Sequence, residues 1–554
     1  MAKPSFDLLL RGARVVDGTG SPGRAADIAV TRNRIAAVAE PGELAAGAEV
    51  VDLDGLVLAP GFIDIHTHYD AQVLWDPDLT PSSWHGVTTV VMGNCGFGIA
   101  PTRPEHRSTI ARTLENVEDM SVDALEAGIP WTFETFPEYL DAVAAQSPRL
   151  NVAAMIGHTP LRLYVMGDDA VERPATAHEI ATMREHVAGA LAAGAIGFAT
   201  SRAPTHAGAG GRPVPSRQAE PDEVFAITQA LADAGRGIVQ ITPGPGLFLE
   251  QFATLSKALG RPISWTALLT GIGRMPATET LERGAAFGGD VWPQIACRPL
   301  VMQVTLEDPF PFAMQPAFKE ILALPRERRA ELYADPAWRE RAKPDLDRGY
   351  GQRWGQTTVQ ETTAHRAIEN GPTLAAVAAE RGVDPFDLLV DLSLAEDLKT
   401  RFRIVLSNDD DDQLAQLLRD PRTVLGLSDA GAHASQLCDA CFSTHLLQVW
   451  SRERGVLTTE QAVWRLTGQP AQVFGLAGRG TIRKGNYADL VAFDPDTVAA
   501  GELERVWDLP AGADRLVAHS TGIDSVWVNG VASRRDGKDL DGARAGVVIR
   551  GGNA

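Results

Sequence analysis

The sequence has 554 residues, of which 44% are hydrophobic and 22% are charged, and its formal net charge is −20 at pH 7. This length exceeds that of one compact core and predicts a large domain with smaller additions, while the composition is that of a folded globular protein. An acidic surface repels phosphate backbones and anionic lipid, so neither nucleic acid nor a membrane surface is an expected partner.

The compartment is predicted from what the sequence lacks. Four cysteines do not make a disulfide framework, and no apolar run is long enough for a transmembrane helix. The residues after Met1 lack the apolar core of a signal peptide. We therefore expect a cytoplasmic protein that acts on a small molecule, and a homo-oligomer on general grounds.

Short strand-like runs separated by turn signals lie at both ends of the chain. The first runs are FDLLLRGARVV, DIAVTRNRIAAVAE and AEVVDLDGLVLAPG, and the last are GRGTIRKGNYADLVAFD and IDSVWVNGVAS. These patterns predict one small β-sandwich domain that is built jointly from residues 1–60 and 476–554.

Residues 61–475 have a different texture, in which apolar runs alternate with amphipathic helical patterns. Near-continuous apolar strands with helical crossovers indicate a buried parallel sheet, and eight units fit a (β/α)8 TIM-type barrel. The eight runs are GFIDIHTH, VTTVVMG, LNVAAMIGH, AIGFATS, GIVQITPG, PISWTAL, VWPQIAC and TVLGLSDA. The interval of about 299–420 is too long for a loop and predicts a helical insertion near the barrel mouth. Its run RFRIVLS competes for the place of the eighth strand.

The strongest local signal is the pair His66 and His68 at the end of the first barrel strand. Side chains two apart on a strand face the same way, and active sites of this fold lie at the carboxyl ends of the strands. Two adjacent imidazoles are natural ligands of a divalent metal. The alternative is a pair of interior histidines that ordinary hydrogen bonds satisfy.

Two more residues end the strands on either side of the first. Cys95 ends the second run and Asp429 ends the eighth. A thiolate beside two imidazoles suits zinc, and a carboxylate can bind the metal and accept a proton from the attacking water. The alternatives are a small buried cysteine and a helix-capping aspartate. This constellation predicts a zinc site with one or two ions.

Further candidates lie near other strand ends. His158 could bind metal, orient the substrate or donate a hydrogen bond, and His433 could contact the substrate or support Asp429. Arginines near strand ends could hold a substrate carboxylate or form ordinary ion pairs. These are Arg162, Arg202 and Arg298.

The segment APGFIDIHTHYD…GVTTVVMGNCGFGIAP, residues 59–101, closely resembles the amidohydrolase superfamily and, within it, the N-acyl-D-amino-acid deacylases. The segments GHTPLR, SDAGAH and GRGTIRKGNYADLVAFDP extend the resemblance. It implies His66 and His68 as metal ligands and Asp429 as ligand and general base. It also implies Cys95 where many relatives have a carbamylated lysine, and no lysine ends a strand between Gly61 and Arg298.

The sequence departs from the family pattern at the fifth and sixth strands, where relatives have a histidine each. Gln240, Thr242, Trp265 and Thr266 occupy these neighbourhoods. A second metal would lose two imidazoles, so either one metal suffices or other groups, such as His206, replace them.

The predicted function is a metal-dependent hydrolase that cleaves a linear amide bond, as in an N-acyl amino acid. Asp429 would take a proton from the attacking water and pass it to the leaving amine. The alternatives are a cyclic amidase of the hydantoinase or dihydropyrimidinase kind, an ester or lactone hydrolase, and a degenerate barrel that binds a ligand without cleaving it.

Overall fold

The computed structural model describes residues 6–44, 47–208, 211–271, 275–309, 312, 315–349 and 351–551. Its strands are, in chain order, β1 (Leu8–Arg11), β2 (Arg14–Val15), β3 (Arg24–Ala25), β4 (Asp27–Thr31), β5 (Arg34–Ala39), β6 (Glu49–Asp52), β7 (Val57–Pro60), β8 (Phe62–Asp64), β9 (Val87–Met92), β10 (Asn151–Gly157), β11 (Gly197–Ser201), β12 (Ile238–Thr242), β13 (Ile263–Trp265), β14 (Val291–Ile295), β15 (Leu300–Val304), β16 (Thr357–Glu361), β17 (Arg401–Ser407), β18 (Val424–Leu425), β19 (Leu490–Phe493), β20 (Ala499–Val506), β21 (Arg515–Thr521), β22 (Ile523–Val528), β23 (Val531–Arg535) and β24 (Lys538–Asp539).

The helices connect and cover these strands. They are α1 (Arg107–Glu118), α2 (Val122–Gly128), α3 (Phe136–Ala145), α4 (His158–Met166), α5 (Ala177–Ala193), α6 (Pro221–Ala234), α7 (Leu249–Leu259), α8 (Ala277–Phe287), α9 (Pro316–Leu322), α10 (Arg326–Tyr333), α11 (Pro336–Gly349), α12 (Leu374–Arg381), α13 (Pro385–Leu394), α14 (Asp411–Arg419), α15 (Phe442–His445), α16 (Thr459–Leu466) and α17 (Gly468–Val473). Their ends carry typical signals: Thr176 and Glu179 form a capping box before α5, and Gly194 ends it in a left-handed conformation.

The centre of the fold is an eight-stranded parallel sheet in the order β18-β14-β13-β12-β11-β10-β9-β8. Hydrogen bonds just beyond the strand ends join the two edges: Asp429 N–H donates to the His66 carbonyl at 3.1 Å, and His68 N–H donates to the Ala430 carbonyl at 2.7 Å. The predicted barrel is confirmed, and the backbone that closes it carries three candidate site residues.

The eight predicted barrel runs are confirmed as strands, and the competition for the eighth place is decided. RFRIVLS forms β17, which pairs antiparallel with β15 and β16 in a separate three-stranded sheet. An antiparallel strand has no place in a parallel barrel, and Val424–Leu425 pairs in parallel with β14 instead. The three-stranded sheet and helices α9–α13 share a core of their own around Phe318, Trp338 and Phe386.

Both chain ends contribute to the sheets outside the barrel, as predicted. In a seven-stranded sheet of order β24-β23-β22-β19-β7-β2-β3, β7 pairs antiparallel with β19. A four-stranded sheet, β5-β4-β1-β6, packs against it through residues such as Leu10, Leu58 and Trp527. The β20–β21 hairpin reaches the insertion, because the Arg505 guanidinium donates to Gln303 Oε1 at 2.8 Å.

Among the helices that the structure describes, none has the length and apolar character needed to cross a bilayer. The cytoplasmic location and the homo-oligomeric state stay predictions.

Candidate metal centre and active site

Three predicted metal ligands converge at the carboxyl ends of β8 and β9. Ligand atoms of His66, His68 and Cys95 all lie within 4.8 Å of one another, and all three side chains are buried. Cys95 Sγ is 3.4 Å from His66 Nε2. The structure therefore brings together the residues that the sequence placed on adjacent strands.

Asp429 completes this group from the eighth strand. Its Oδ1 is 3.2 Å from His68 Nε2 and 3.4 Å from His66 Nε2, and its side chain is 28% exposed. Burial alone would raise the pKa of Asp429. The hydrogen bond from His68 and the charges of both histidines nevertheless hold this pKa well below its usual range. Asp429 is thus an ionised carboxylate that contacts both imidazoles and is partly exposed to solvent.

The thiol of Cys95 is set up to ionise. Burial alone would raise its pKa, but the charge of His66 and the hydrogen bonds of His66 and His68 lower it to about 6. Most of the thiol is therefore deprotonated at neutral pH, which is the form that binds metal. A buried set of one thiolate, two imidazoles and an adjacent carboxylate fits zinc.

Hydrogen bonds from residues that are not themselves metal ligands orient the imidazole of His66. His66 Nδ1 is 2.6 Å from Gln294 Oε1, and Gln294 Nε2 donates to Ser264 Oγ at 2.9 Å. With the Gln294 oxygen facing the ring, Nδ1 of His66 carries the proton and donates it to that oxygen. Nε2 of His66 is left as the ligand atom, an arrangement common around metal-binding histidines.

Glu118 is a site residue that the sequence reasoning missed. It ends α1, is only 3% exposed, and its Oε1 is 3.4 Å from His68 Nδ1. Burial raises the pKa of Glu118 to about 8, although the charge of His68 opposes this shift. The available signal was periodicity: Ile110, Leu114 and Glu118 follow one another at four-residue steps, which puts a carboxylate on an apolar helix face.

The loops that carry the site residues hold non-glycine residues in left-handed conformations. The φ angles are 55° at Cys95, 54° at Asp429 and 47° at His433. Such residues cluster at functional sites, where the surrounding structure holds them in place. Gly93 shows how tight this packing is, since a Cβ there would lie 2.1 Å from the Met155 carbonyl oxygen.

His158 and Arg162 are not brought to the site. His158 Nδ1 lies 2.8 Å from Thr200 Oγ1, its Nε2 lies 3.0 Å from Glu223 Oε1, and Arg162 pairs with the same carboxylate. All are buried. These contacts correct the predicted roles: α4 begins at His158 itself, so both side chains pack against α6 instead of facing the barrel mouth.

The other predicted binding residues, Arg298, Arg202 and His433, differ in their contacts. Arg298 Nε donates to Asp439 Oδ1 at 2.7 Å, which favours the ion-pair interpretation for this arginine. The Arg202 guanidinium, by contrast, makes no ion pair with a described residue and is partly exposed directly after β11. His433 lies four residues after Asp429, and its N–H donates to the Glu118 carbonyl.

His206 lies near the centre without joining the converging ligands. Its Nδ1 is 2.6 Å from Ser201 Oγ, and its ring contacts Phe97 at a centroid distance of 5.0 Å. Burial, together with the positive charge of His68, lowers the pKa of His206 to about 3. In the described part of the chain, the converging metal-ligand set is His66, His68 and Cys95.

A model of the amidohydrolase family matches residues 49–532. The chain belongs to the amidohydrolase family. The D-aminoacylase of Alcaligenes xylosoxydans xylosoxydans is 32% identical over 98% of this chain and 97% of its own length. The predicted resemblance is therefore confirmed along almost the whole sequence.

Solved amidohydrolase structures agree with this membership. A D-aminoacylase structure, described as having a binuclear metal centre that one metal activates and the second attenuates, is 30% identical, covers 98% of this chain and 100% of its own, and has a TM-score of 0.67. An N-acyl-D-glutamate deacylase from Bordetella bronchiseptica, solved with zinc and a phosphonate inhibitor, is 28% identical, covers 98% and 99%, and has a TM-score of 0.67. A D-hydantoinase, at 12% identity and a TM-score of 0.52 with 98% and 99% covered, shares the fold alone.

Proposed function

We propose that this amidohydrolase is a zinc-dependent deacylase that hydrolyses N-acyl amino acids. The observation that carries the proposal is the convergence of His66, His68, Cys95 and Asp429 at the barrel mouth. The names of the relatives, D-aminoacylase and N-acyl-D-glutamate deacylase, support the substrate class and favour the D-enantiomer.

His66, His68 and Cys95 would hold the zinc ion, with Asp429 beside it. Zinc bound there supplies a Lewis acid that polarises the amide carbonyl and makes water more acidic. Asp429 accepts the proton of the attacking water and then delivers it to the leaving nitrogen, so that the products are a carboxylate and an amine. Its ionised state and its partial exposure suit this role.

A carboxylate on the substrate would find positive charge near the mouth. Arg202 follows β11, and burial together with the charge of Arg202 lowers the pKa of Arg217. Arg217 donates to the His206 carbonyl at 3.0 Å. A carboxylate between these like charges would relieve their repulsion, and guanidinium groups bind carboxylates through paired hydrogen bonds.

One zinc ion per chain fits the residues better than two. The fifth- and sixth-strand neighbourhoods hold Gln240, Thr242, Trp265 and Thr266. None of these side chains is a usual zinc ligand. The relative that one metal activates supports a working site with a single ion.

The cyclic amidase alternative has less support. The D-hydantoinase is only 12% identical to this chain. The resemblance to the N-acyl-D-amino-acid deacylases implies that Cys95 stands where many amidohydrolases have a carbamylated lysine. An ester or lactone hydrolase uses the same activated water, so activity measurements must separate it from an amidase.

The test is a comparison of turnover for N-acetyl-D-amino acids, their L-enantiomers, hydantoins and matched esters. We expect hydrolysis of the D-amides with kcat/KM above that for the L-amides, and no ring opening of hydantoins. Hydantoin turnover without turnover of any linear amide would contradict the proposal, as would cleavage of esters alone.

A further inference from the structure

Polar side chains face the barrel interior on the fifth and sixth strands. Ile238, the first residue of β12, belongs to the interior core with Ile63 and Ile65. Side chains two apart on a strand share a face, so Gln240 and Thr242 project into the same interior, progressively nearer its mouth. Thr266 directly follows β13, next to β12 in the sheet.

These side chains carry unused hydrogen-bonding atoms. Gln240 is 0% exposed, Thr266 is 6% exposed and Thr242 is 9% exposed. Gln240 Nε2 and both threonine hydroxyls have no hydrogen-bond partner among the residues that the structure describes. Buried polar groups in folded proteins nearly always have a hydrogen-bond partner, so three unpaired atoms together indicate a place where a ligand supplies the partners.

The orientation of the Gln240 amide is fixed from the metal centre. Its Oε1 accepts the N–H of Cys95 at 2.7 Å, and Cys95 Sγ is 3.4 Å from His66 Nε2. With the oxygen held in this way, the NH₂ group of Gln240 is the free end of the amide.

Gln294, two strands away in the sheet, shows the contrasting arrangement. Its oxygen contacts His66 at 2.6 Å and its nitrogen donates to Ser264 at 2.9 Å, so both ends of its amide are used. Gln240 thus uses its amide oxygen to accept the Cys95 N–H, while its amide nitrogen can still donate to a ligand.

We propose that Gln240 is a catalytic residue whose Nε2 donates a hydrogen bond to the carbonyl oxygen of the scissile amide. This inference rests on the proposed deacylase function. The bond strengthens as that oxygen gains negative charge during attack by water, and glutamine side chains are suitable donors for this purpose. Thr242 and Thr266 offer hydroxyls to the polar atoms of the substrate beside it. The neighbourhood of the fifth and sixth strands then binds substrate and does not bind a second metal.

The test uses Gln240→Met, which removes both hydrogen-bonding ends, and Gln240→Glu, which keeps an oxygen for the Cys95 N–H. Three quantities are measured: zinc per chain, steady-state kinetics, and the affinity for a phosphonate mimic of the tetrahedral intermediate. We expect one zinc per chain throughout, a kcat about 10²–10³-fold below wild type in both variants, and a similar loss of phosphonate affinity, since one oxyanion donor is removed. KM should change much less than kcat.

Gln472→Met is the matched control, because this exposed glutamine of α17 lies outside the site and its variant should match wild type. A kcat within threefold of wild type in Gln240→Met would overturn the proposal. Loss of zinc in both Gln240 variants would also overturn it, because Gln240 would then serve to support Cys95. Two zinc ions per wild-type chain would overturn the assignment of this neighbourhood to substrate. Failure of the proposed function looks different, since wild type itself would then cleave no N-acyl amino acid.

Discussion

Asp429→Asn is expected to lower kcat for N-acyl amino acid hydrolysis by about 10²–10⁴-fold, the usual contribution of a general acid–base residue. Asparagine has nearly the shape of aspartate but cannot accept the proton of the attacking water or return it to the leaving amine. His66, His68 and Cys95 remain in place, so the variant should still bind zinc. Steady-state kinetics and elemental analysis of the same preparation check both statements.

Glu118→Leu is the comparison, because Glu118 lies on the other side of the His68 imidazole, 3.4 Å from His68 Nδ1, and leucine removes the hydrogen-bond acceptor that glutamine would keep. Removal of this outer partner, as in Glu118→Leu, should lower zinc affinity by about 10–100-fold, with a smaller effect on kcat once zinc is saturating. Full activity of Asp429→Asn would contradict the assigned base. Equal kcat losses in the two zinc-saturated variants would show that Asp429 acts only by positioning His68.

Glu223→Gln is expected to lower the free energy of unfolding by about 3–5 kcal/mol, because it leaves a buried charge without its counterion. The charge is that of Arg162, which is fully buried against Glu223, while Glu223 also contacts His158 at 3.0 Å. The measurement is a denaturant unfolding midpoint for both proteins. Asp233→Asn is the control, since the Arg184–Asp233 pair is 42% and 56% exposed and such pairs contribute about 0–1 kcal/mol. Equal small losses in the two variants would contradict the importance of the buried network.

The carboxylate of Glu223 also makes the free energy of unfolding depend on pH. Burial alone would raise the pKa of Glu223, but the hydrogen bond and charge of His158 and the charge of Arg162 lower it to about 2. Because the folded pKa lies below the unfolded value of about 4.3, this contribution is complete above that pH and is lost as the pH falls toward 2. Glu223→Gln should therefore show a shallower loss of stability over this interval. If the free energy of unfolding fell with pH equally steeply in both proteins, the lowered pKa of Glu223 would be contradicted.

The barrel and the convergence of His66, His68, Cys95 and Asp429 were predictable because they depend on local patterns and one topological rule. Apolar runs marked the strands, and a closed parallel barrel brings the ends of strands eight, one and two together. The hardest strand was β18, which is only Val424–Leu425, whereas the longer β17 lies outside the barrel. Length and hydropathy could not separate them, since the difference is the direction of pairing.

The differences between the expected and the observed surroundings of these residues have a common cause, which is that sequence position does not give side-chain direction or partners. His158 ends the predicted run, but it is already the first residue of α4 and contacts Glu223, 65 residues later. Arg298 finds Asp439 at a separation of 141 residues. Glu118 was missed because it lies at the end of helix α1, far from the strand ends in sequence. The fold nevertheless places its carboxylate beside His68.

Zinc content per chain tests directly whether His66, His68 and Cys95 form a metal site. Wild type and His66→Ala would be purified without chelators or affinity metals and analysed by elemental analysis. The arrangement of His66, His68, Cys95 and Asp429 predicts one zinc ion per wild-type chain and its loss in the variant. A wild-type protein that carries no metal and takes none up would contradict the metal-dependent deacylase and would favour a barrel that binds its ligand without cleaving it.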